Sequence, residues 1–381
     1  MNSFFLMGCW NSDQCNTLDY RTAVVKQILQ DKKASRYTFG VIAGDNIYQQ
    51  NKVYHLKTLQ YGFGLMEPLK VPLYTLLGNH DVHKKEILTG HLDLVKQKKI
   101  IMPRHCYTVV YPNLRMIILD TNLLTSKKSK DTTYQELLQE HPDFFSIPTG
   151  DDLVSYLRTE LEKPFDGWTL VIGHEPFLSI NINRSGNLKV RQINHYDTIT
   201  QLLLASPRTL YLCADVHAFQ AMNVPVSSES LNTTVPMVVV GTGGASPDHS
   251  PDEKTPIPIP TRSQSRTSPG SASLKQQPGS ASLKPGSASP IASPVSFYME
   301  GTSPSYGYVS VSYSATKLFV HFHPLKGCTD GQSEMVFECI NGQLELKKRT
   351  KISLDASVCP AHPAEEGLCP KVGGRRKKKD I

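Results

Sequence analysis

One arrangement of apolar and polar positions recurs along the chain: a short run of aliphatic or aromatic residues, then a small residue, then a side chain able to bind metal. Phe4-Phe5-Leu6-Met7-Gly8 precedes Cys9, Phe39-Gly40-Val41-Ile42-Ala43-Gly44 precedes Asp45, and Leu73-Tyr74-Thr75-Leu76-Leu77-Gly78 precedes Asn79-His80. Further on, Leu170-Val171-Ile172-Gly173 precedes His174, and Leu210-Tyr211-Leu212-Cys213-Ala214 precedes Asp215-Val216-His217. Runs that are apolar on both faces predict strands of a sheet covered by helices, because such strands present no polar side to water. Helical spacing appears between them: Val24, Val25, Ile28 and Leu29 share one face of Thr22–Leu29, and 151–162 and 195–205 have the same period. The alternation predicts a layered α/β architecture, in which ligands collect beyond the carboxyl ends of the strands.

Between 246 and 305 the pattern collapses into Pro, Ser, Gly and Ala, with one seven-residue unit at 269–275, again at 278–284, and its beginning at 285–289. Such a segment has too little apolar surface to offset its ordering entropy, so disorder is expected there. Strand-like runs stand on both sides, Met237–Val240 before it and Tyr308–Tyr313 and Leu318–Phe322 after it. The segment therefore reads as an insertion, since long surface loops cost little in closure entropy. The expected organisation is a core over 1–245, the insertion over 246–305, closing strands of the same domain over 306–350, and a flexible basic tail over 351–381.

Charge changes this picture little. The formal net charge is +7, but Arg375-Arg376-Lys377-Lys378-Lys379 supplies much of it, so no basic groove is implied for the folded body. The basic run reads as a solvated tail, with nucleic acid or an import receptor as its alternative partner. No apolar run approaches the ~20 residues a membrane span needs, and Ser3–Met7 is short for a secretory apolar region, so a cytoplasmic or nuclear protein is expected. The eight cysteines are scattered without a Cys-x-x-Cys pair, as suits free thiols. His321, His323, Cys328 and Cys339 match no common zinc-finger spacing, and His321 and His323 read instead as one face of a strand.

The strand ends supply a coherent donor set. Asp45 is suited to bridge two cations, Asn79 offers a neutral carbonyl oxygen, His174 and His217 offer imidazole nitrogens, and Asp215 adds a carboxylate. Two metals about 3.5–4 Å apart can clamp a phosphoryl group and activate water for in-line attack. Each motif alone is a common turn; five in one order at strand ends point to a shared site.

Gly44-Asp45-Asn46, Gly78-Asn79-His80-Asp81, Gly173-His174 and Ala214-Asp215-Val216-His217 resemble successive motifs of the calcineurin-like metallophosphoesterase superfamily, over about 1–245 and again over 306–345. Gly8-Cys9-Trp10, Asp45-Asn46-Ile47-Tyr48, Leu119-Asp120-Thr121-Asn122, Gly173-His174-Glu175-Pro176 and Gly241–Ala245 are similar to the purple acid phosphatase branch. The resemblance implies a four-layer α/β/β/α sandwich of two mixed sheets flanked by helices. It also implies two metal ions, iron with zinc or manganese, and a phosphate-ester substrate. One metal would take Asp45, Tyr48 and His217, and the other Asp45, Asn79, His174 and Asp215. His80 would stabilise the transition state and protonate the leaving alkoxide, oriented by Asp81. His83 and Glu175 read either as substrate contacts or as plain charged loop residues.

Two positions depart from the family. Cys9 stands where the first strand delivers Asp, with Asn11 in place of the following His, and Asp215 replaces the first His of the last motif. Asp for His keeps an oxygen ligand, whereas a thiol disfavours hard cations. Cys9 reads either as a thiolate ligand or as a small buried hydrophobe, with Asp13 a nearby spare carboxylate. The expected function is metal-dependent hydrolysis of phosphomonoesters. A phosphodiesterase or nucleotide hydrolase, and a catalytically impaired binding module, are the alternatives.

Overall fold

The computed structural model describes residues 1–12, 20–48, 56–125, 130–182, 188–226, 233–245, 248, 296–299, 306–325 and 333–352. Most of the 246–305 insertion, the tail beyond 352, and Asp13 lie outside them.

In chain order the elements are β1 (Asn2–Met7), α1 (Tyr20–Ser35), β2 (Gly40–Ile42), α2 (Leu56–Met66), β3 (Leu73–Thr75), α3 (Lys85–Lys96), β4 (Tyr107–Tyr111) and β5 (Leu114–Ile118). Then follow α4 (Thr132–Glu140), α5 (Gly150–Glu162), β6 (Trp168–Ile172), β7 (Leu178–Ile182), β8 (Leu188–Gln192), α6 (Tyr196–Ala205), β9 (Thr209–Cys213), β10 (Phe219–Pro225) and β11 (Thr234–Val240). The last are β12 (Ser296–Met299), β13 (Gly307–Tyr313), β14 (Leu318–Pro324), β15 (Ser333–Ile340) and β16 (Gln343–Lys351).

The strands form two seven-stranded mixed sheets, β16-β15-β14-β13-β1-β2-β3 and β12-β10-β11-β9-β6-β5-β4, with β7-β8 as a separate hairpin. Alternation along β1 shows why they stack. Phe4 and Leu6 join Val41, Val239 and Phe322 in the core between the sheets, while Phe5 and Met7 join Val24 and Ile28 of α1 and Leu59 and Phe63 of α2 on the outer face. Both faces of the strand are covered, which accounts for its unbroken apolar run. Stacked rings pin the two sheets, Phe219 on Phe322 at 4.1 Å and Phe39 on Tyr111 at 4.8 Å. On the other side, Leu153 and Leu157 of α5 and Ile199 and Leu203 of α6 complete the layers.

The chain beyond the insertion is built into the first sheet: β13 pairs antiparallel with β1, Phe4 opposite Val311. β1, β2 and β3 are mutually parallel, as are β5, β6, β9 and β11. The loops after β1, β2, β3, β6 and β9, which carry the five sequence motifs, therefore leave carboxyl ends of parallel strands.

Candidate metal centre

Three of the residues expected as ligands hold a backbone conformation that L residues rarely adopt: Cys9 at φ 51°, Asp45 at φ 53° and Asp215 at φ 57°. Each such position costs about 1–3 kcal/mol and persists only where the surroundings enforce it, most often at functional sites. The preceding small residue thus plays a part other than making the turn itself. Gly44, at φ 83°, is backed by His174, whose Nδ1 would lie 2.6 Å from an added Cβ; at Gly78 a Cβ would meet Asp45 N and Oδ1 at 2.3 Å. Only glycine lets these loops close on one another.

The loops are tied by a buried polar frame. Asp81 accepts hydrogen bonds from Asn46 N and Nδ2 and from Gly78 N, locking the loop after β2 to the loop after β3. Burial, and then the charge of Asp45, raises the Asp81 carboxyl to about 8. Asn11, at the position where the family pattern has His, is fully buried and serves the same frame: its Nδ2 donates to Asn46 O and Thr58 O, and its Oδ1 accepts from Arg21. Thr121 Oγ1 accepts from His174 N and Glu175 N, which is the work of the Asp120-Thr121-Asn122 motif.

Within this frame the expected ligands converge on Asp45. His174 Nδ1 lies 2.7 Å from Ala43 O, to which it donates, so its Nε2 points inward, 3.3 Å from Asp45 Oδ1 and 3.8 Å from Asp215 Oδ1. A backbone acceptor on one ring nitrogen is the usual device for aiming the other at a metal. Both His174 Nε2 and Asn79 Oδ1 are buried and without a hydrogen-bond partner. An orphaned acceptor such as Asn79 Oδ1 costs about 1–3 kcal/mol unless something satisfies it, and a cation among Asp45, Asn79, His174 and Asp215 would do so while taking the place of the charge contacts that His174 Nε2 makes with Asp45 and Asp215.

On the other side of Asp45, Tyr48 Oη donates to Asp45 Oδ2 at 2.9 Å and lies 3.1 Å from His217 Nε2. Ligand atoms of Cys9, Asp45 and His217 all fall within 4.8 Å of one another. The residue set fits two cations sharing Asp45, one beside Asn79, His174 and Asp215 and the other beside Tyr48, His217 and Cys9. Electrostatics ask for them. Burial alone would lower the His174 pKa, but the charges of Asp45 and then Asp215 carry it up to about 10, so in the metal-free protein a proton on Nε2 stands in for the cation. Asp45 is held below the usual carboxylate range: its burial is outweighed by His174 and His80.

Burial, and then the charges of Asp45 and Cys9, push the Tyr48 hydroxyl well above its ordinary value, and the same holds for Cys9. Burial, followed by Asp45 and Asp215, pushes its thiol well above the ordinary value, so it is a neutral, buried group here. His80 N donates to Asp45 Oδ1 at 3.0 Å, and its half-buried ring lies 4.6 Å from that of Tyr48 and 5.4 Å from that of His83.

Two participants escape sequence reasoning. Arg191, on the β7-β8 hairpin, places Nη2 2.8 Å from Glu175 Oε2 and 2.9 Å from Asp215 Oδ2. Asp248 accepts from His217 N at 3.0 Å. Neither belongs to a motif, and only the folded chain brings them to the site. Glu175 is buried behind this ion pair and raised to about 8, first by burial and then by Asp215.

A family model described as calcineurin-like phosphoesterase matches residues 5–219. Among solved structures, the chain is similar to PhoD at 12% identity, covering 93% of this chain and 73% of that one with a TM-score of 0.56, which shows a shared fold. It is also similar to GAP50, the anchor in the inner membrane complex of Plasmodium (16% identity, 94% and 95% covered, TM-score 0.49). A dimetal phosphatase from Danio rerio matches at 9% identity, with 85% and 96% covered and a TM-score of 0.49. No curated protein matches by sequence.

Proposed function

Starting from a chain that belongs to the calcineurin-like phosphoesterase family, we propose that it hydrolyses phosphomonoesters at a dinuclear centre of the purple acid phosphatase type, iron with zinc or manganese. The observation that carries this reading is the pair of buried ligand atoms left without a hydrogen bond, Asn79 Oδ1 and His174 Nε2, the latter 3.3 Å from Asp45 Oδ1. When bound, two cations supply an activated water and neutralise the phosphoryl oxygens.

The protein's own groups do the rest. Asp45 lies between the two donor sets, and the Asp81–Asn46–Gly78 frame keeps it there. Tyr48, three residues after Asp45, would ligate the iron in this reading. His80 is half-buried at the cleft edge, where its imidazole can donate a proton to the departing alkoxide. His83 lies beside it, and the half-exposed Arg191 guanidinium, paired with Glu175 and Asp215, could donate to a phosphoryl oxygen. Among the described residues no helix is long and apolar enough to cross a membrane, and Cys9, Cys106, Cys213 and Cys339 are free thiols.

The test is turnover of a nitrophenyl monoester against the corresponding diester by protein reloaded with iron and zinc or manganese. The monoester should be preferred, His80→Ala should lower turnover about 10²–10⁴-fold with metal content intact, and an iron-dependent visible band should vanish in Tyr48→Phe. Preference for the diester would assign the alternative substrate class, and unchanged turnover in His80→Ala would remove its role.

A second reading rests on Cys9 and Arg191. A thiol where the family has a carboxylate and a guanidinium on Asp215 both disfavour hard cations, which suits a phosphate-binding module with an impaired centre. Failure to bind two metal equivalents, with hydrolysis of neither ester, would select it.

A further inference from the structure

A second cluster of metal-binding side chains stands on the first sheet, away from the strand-end loops. Val320, Phe322 and Met335 point into the core between the sheets, so the alternating positions His321, His323 and Glu334 share the outer face. The expected strand-face reading of the two histidines holds. Cys339 sits on the opposite face with Phe337, and Cys328 lies outside the described residues. Register supplies a different third ligand. Phe322 pairs with Met335, which brings Glu334 alongside His323.

We propose that His321, His323 and Glu334 form a zinc site distinct from the strand-end centre. Their ligand atoms all lie within 4.8 Å of one another. Glu334 Oε1 is 2.8 Å from His321 Nε2 and 3.8 Å from His323 Nδ1. With metal–ligand bonds of about 2.0–2.1 Å, tetrahedral coordination places donors about 3.3 Å apart, and the two distances straddle that value. In the metal-free protein the 2.8 Å approach is a His321–Glu334 ion pair, which holds the two donors together where a cation would join them.

The surroundings complete the design. Ser310 Oγ lies 2.8 Å from His323 Nε2, which fixes the ring with Nδ1 toward Glu334, and Tyr308 stacks on that ring at 4.6 Å. Tyr308 is itself held through its hydroxyl by Asp31 of α1. His321 and Glu334 side chains are each 30% exposed, which leaves a side open for water as the fourth ligand. Two imidazoles, a carboxylate and an open position favour zinc over magnesium or calcium.

The full-length protein, stripped with chelator, would be titrated with zinc calorimetrically and with cobalt(II) by visible absorption. An Asp45→Asn/His174→Gln background disables the strand-end centre, so the outcome does not depend on the proposed hydrolase activity. One zinc equivalent and an intense low-coordinate cobalt band should survive in that background. Both should be lost on adding His321→Gln or Glu334→Gln, and Ser310→Ala should weaken zinc binding about 10–100-fold. If a Gln variant fails to fold, zinc-induced shifts of the His321 and His323 ring resonances in the unaltered background replace it. Absence of a zinc equivalent in the disabled background, retention of it in both Gln variants, or unshifted rings would overturn the site.

Discussion

Replacing Asn79 with Leu separates the demands of metal binding from those of folding. In the metal-free protein Asn79 Oδ1 is a buried acceptor without a donor, while Leu fills similar volume with no polar atom to satisfy. Leaving such an acceptor unpaired costs about 1–3 kcal/mol, and this is what Asn79→Leu recovers. For a domain of this size about 1 kcal/mol moves the midpoint by roughly 2–4 °C, so in chelator the variant should melt about 2–12 °C above the parent. Metal reverses the order. Saturation at about 100 times Kd stabilises the parent by ~2.7 kcal/mol, and the variant, lacking a ligand oxygen, should gain far less. Thermal unfolding of both proteins in chelator and in a manganese or zinc series gives all four numbers. A variant that is less stable than the parent in chelator, yet gains equally from metal, would refute the assignment of Asn79 as a ligand held in readiness.

Other substitutions probe the remaining donors. Cys9→Asp adds a carboxylate beside Asp45 and Asp215, so it should lower the melting midpoint in chelator yet raise metal equivalents per chain by elemental analysis; unchanged metal content would mean that Cys9 or another group already ligates well. Gly78→Ala drives a Cβ to within 2.3 Å of Asp45 N and Oδ1. It should cost about 1–3 kcal/mol and reduce metal content, and parent-like urea unfolding would contradict the packing. In chelator, His174 has a folded-state pKa raised from 6.5 to about 10, so its stabilisation is complete below pH 6.5 and is lost as pH rises through 10. Urea unfolding between pH 7 and 10 should therefore fall more steeply for the parent than for His174→Gln, and parallel curves would remove the charged His174–Asp45 pair from the account.

The layered architecture and the motif order were legible in the sequence because both rest on local physics. A strand covered on both faces must be apolar on both, so β1, β2, β3, β6 and β9 announced themselves, and a polar residue directly after each run could only stand at a strand end. Asp45, Asn79, His174, Asp215 and His217 were named on that ground. Pairing was not local. That β13 closes on β1, and that Phe322 opposite Met335 brings Glu334 beside His323, is set by register between strands, which single-strand patterns do not encode. Arg191 and Asp248 reach the site from segments without a motif, because a long-range ion pair or hydrogen bond leaves no periodic trace in the chain. The left-handed backbone at Cys9, Asp45 and Asp215 likewise belongs to the assembled loops, where neighbouring segments hold a conformation that no isolated strand end would choose.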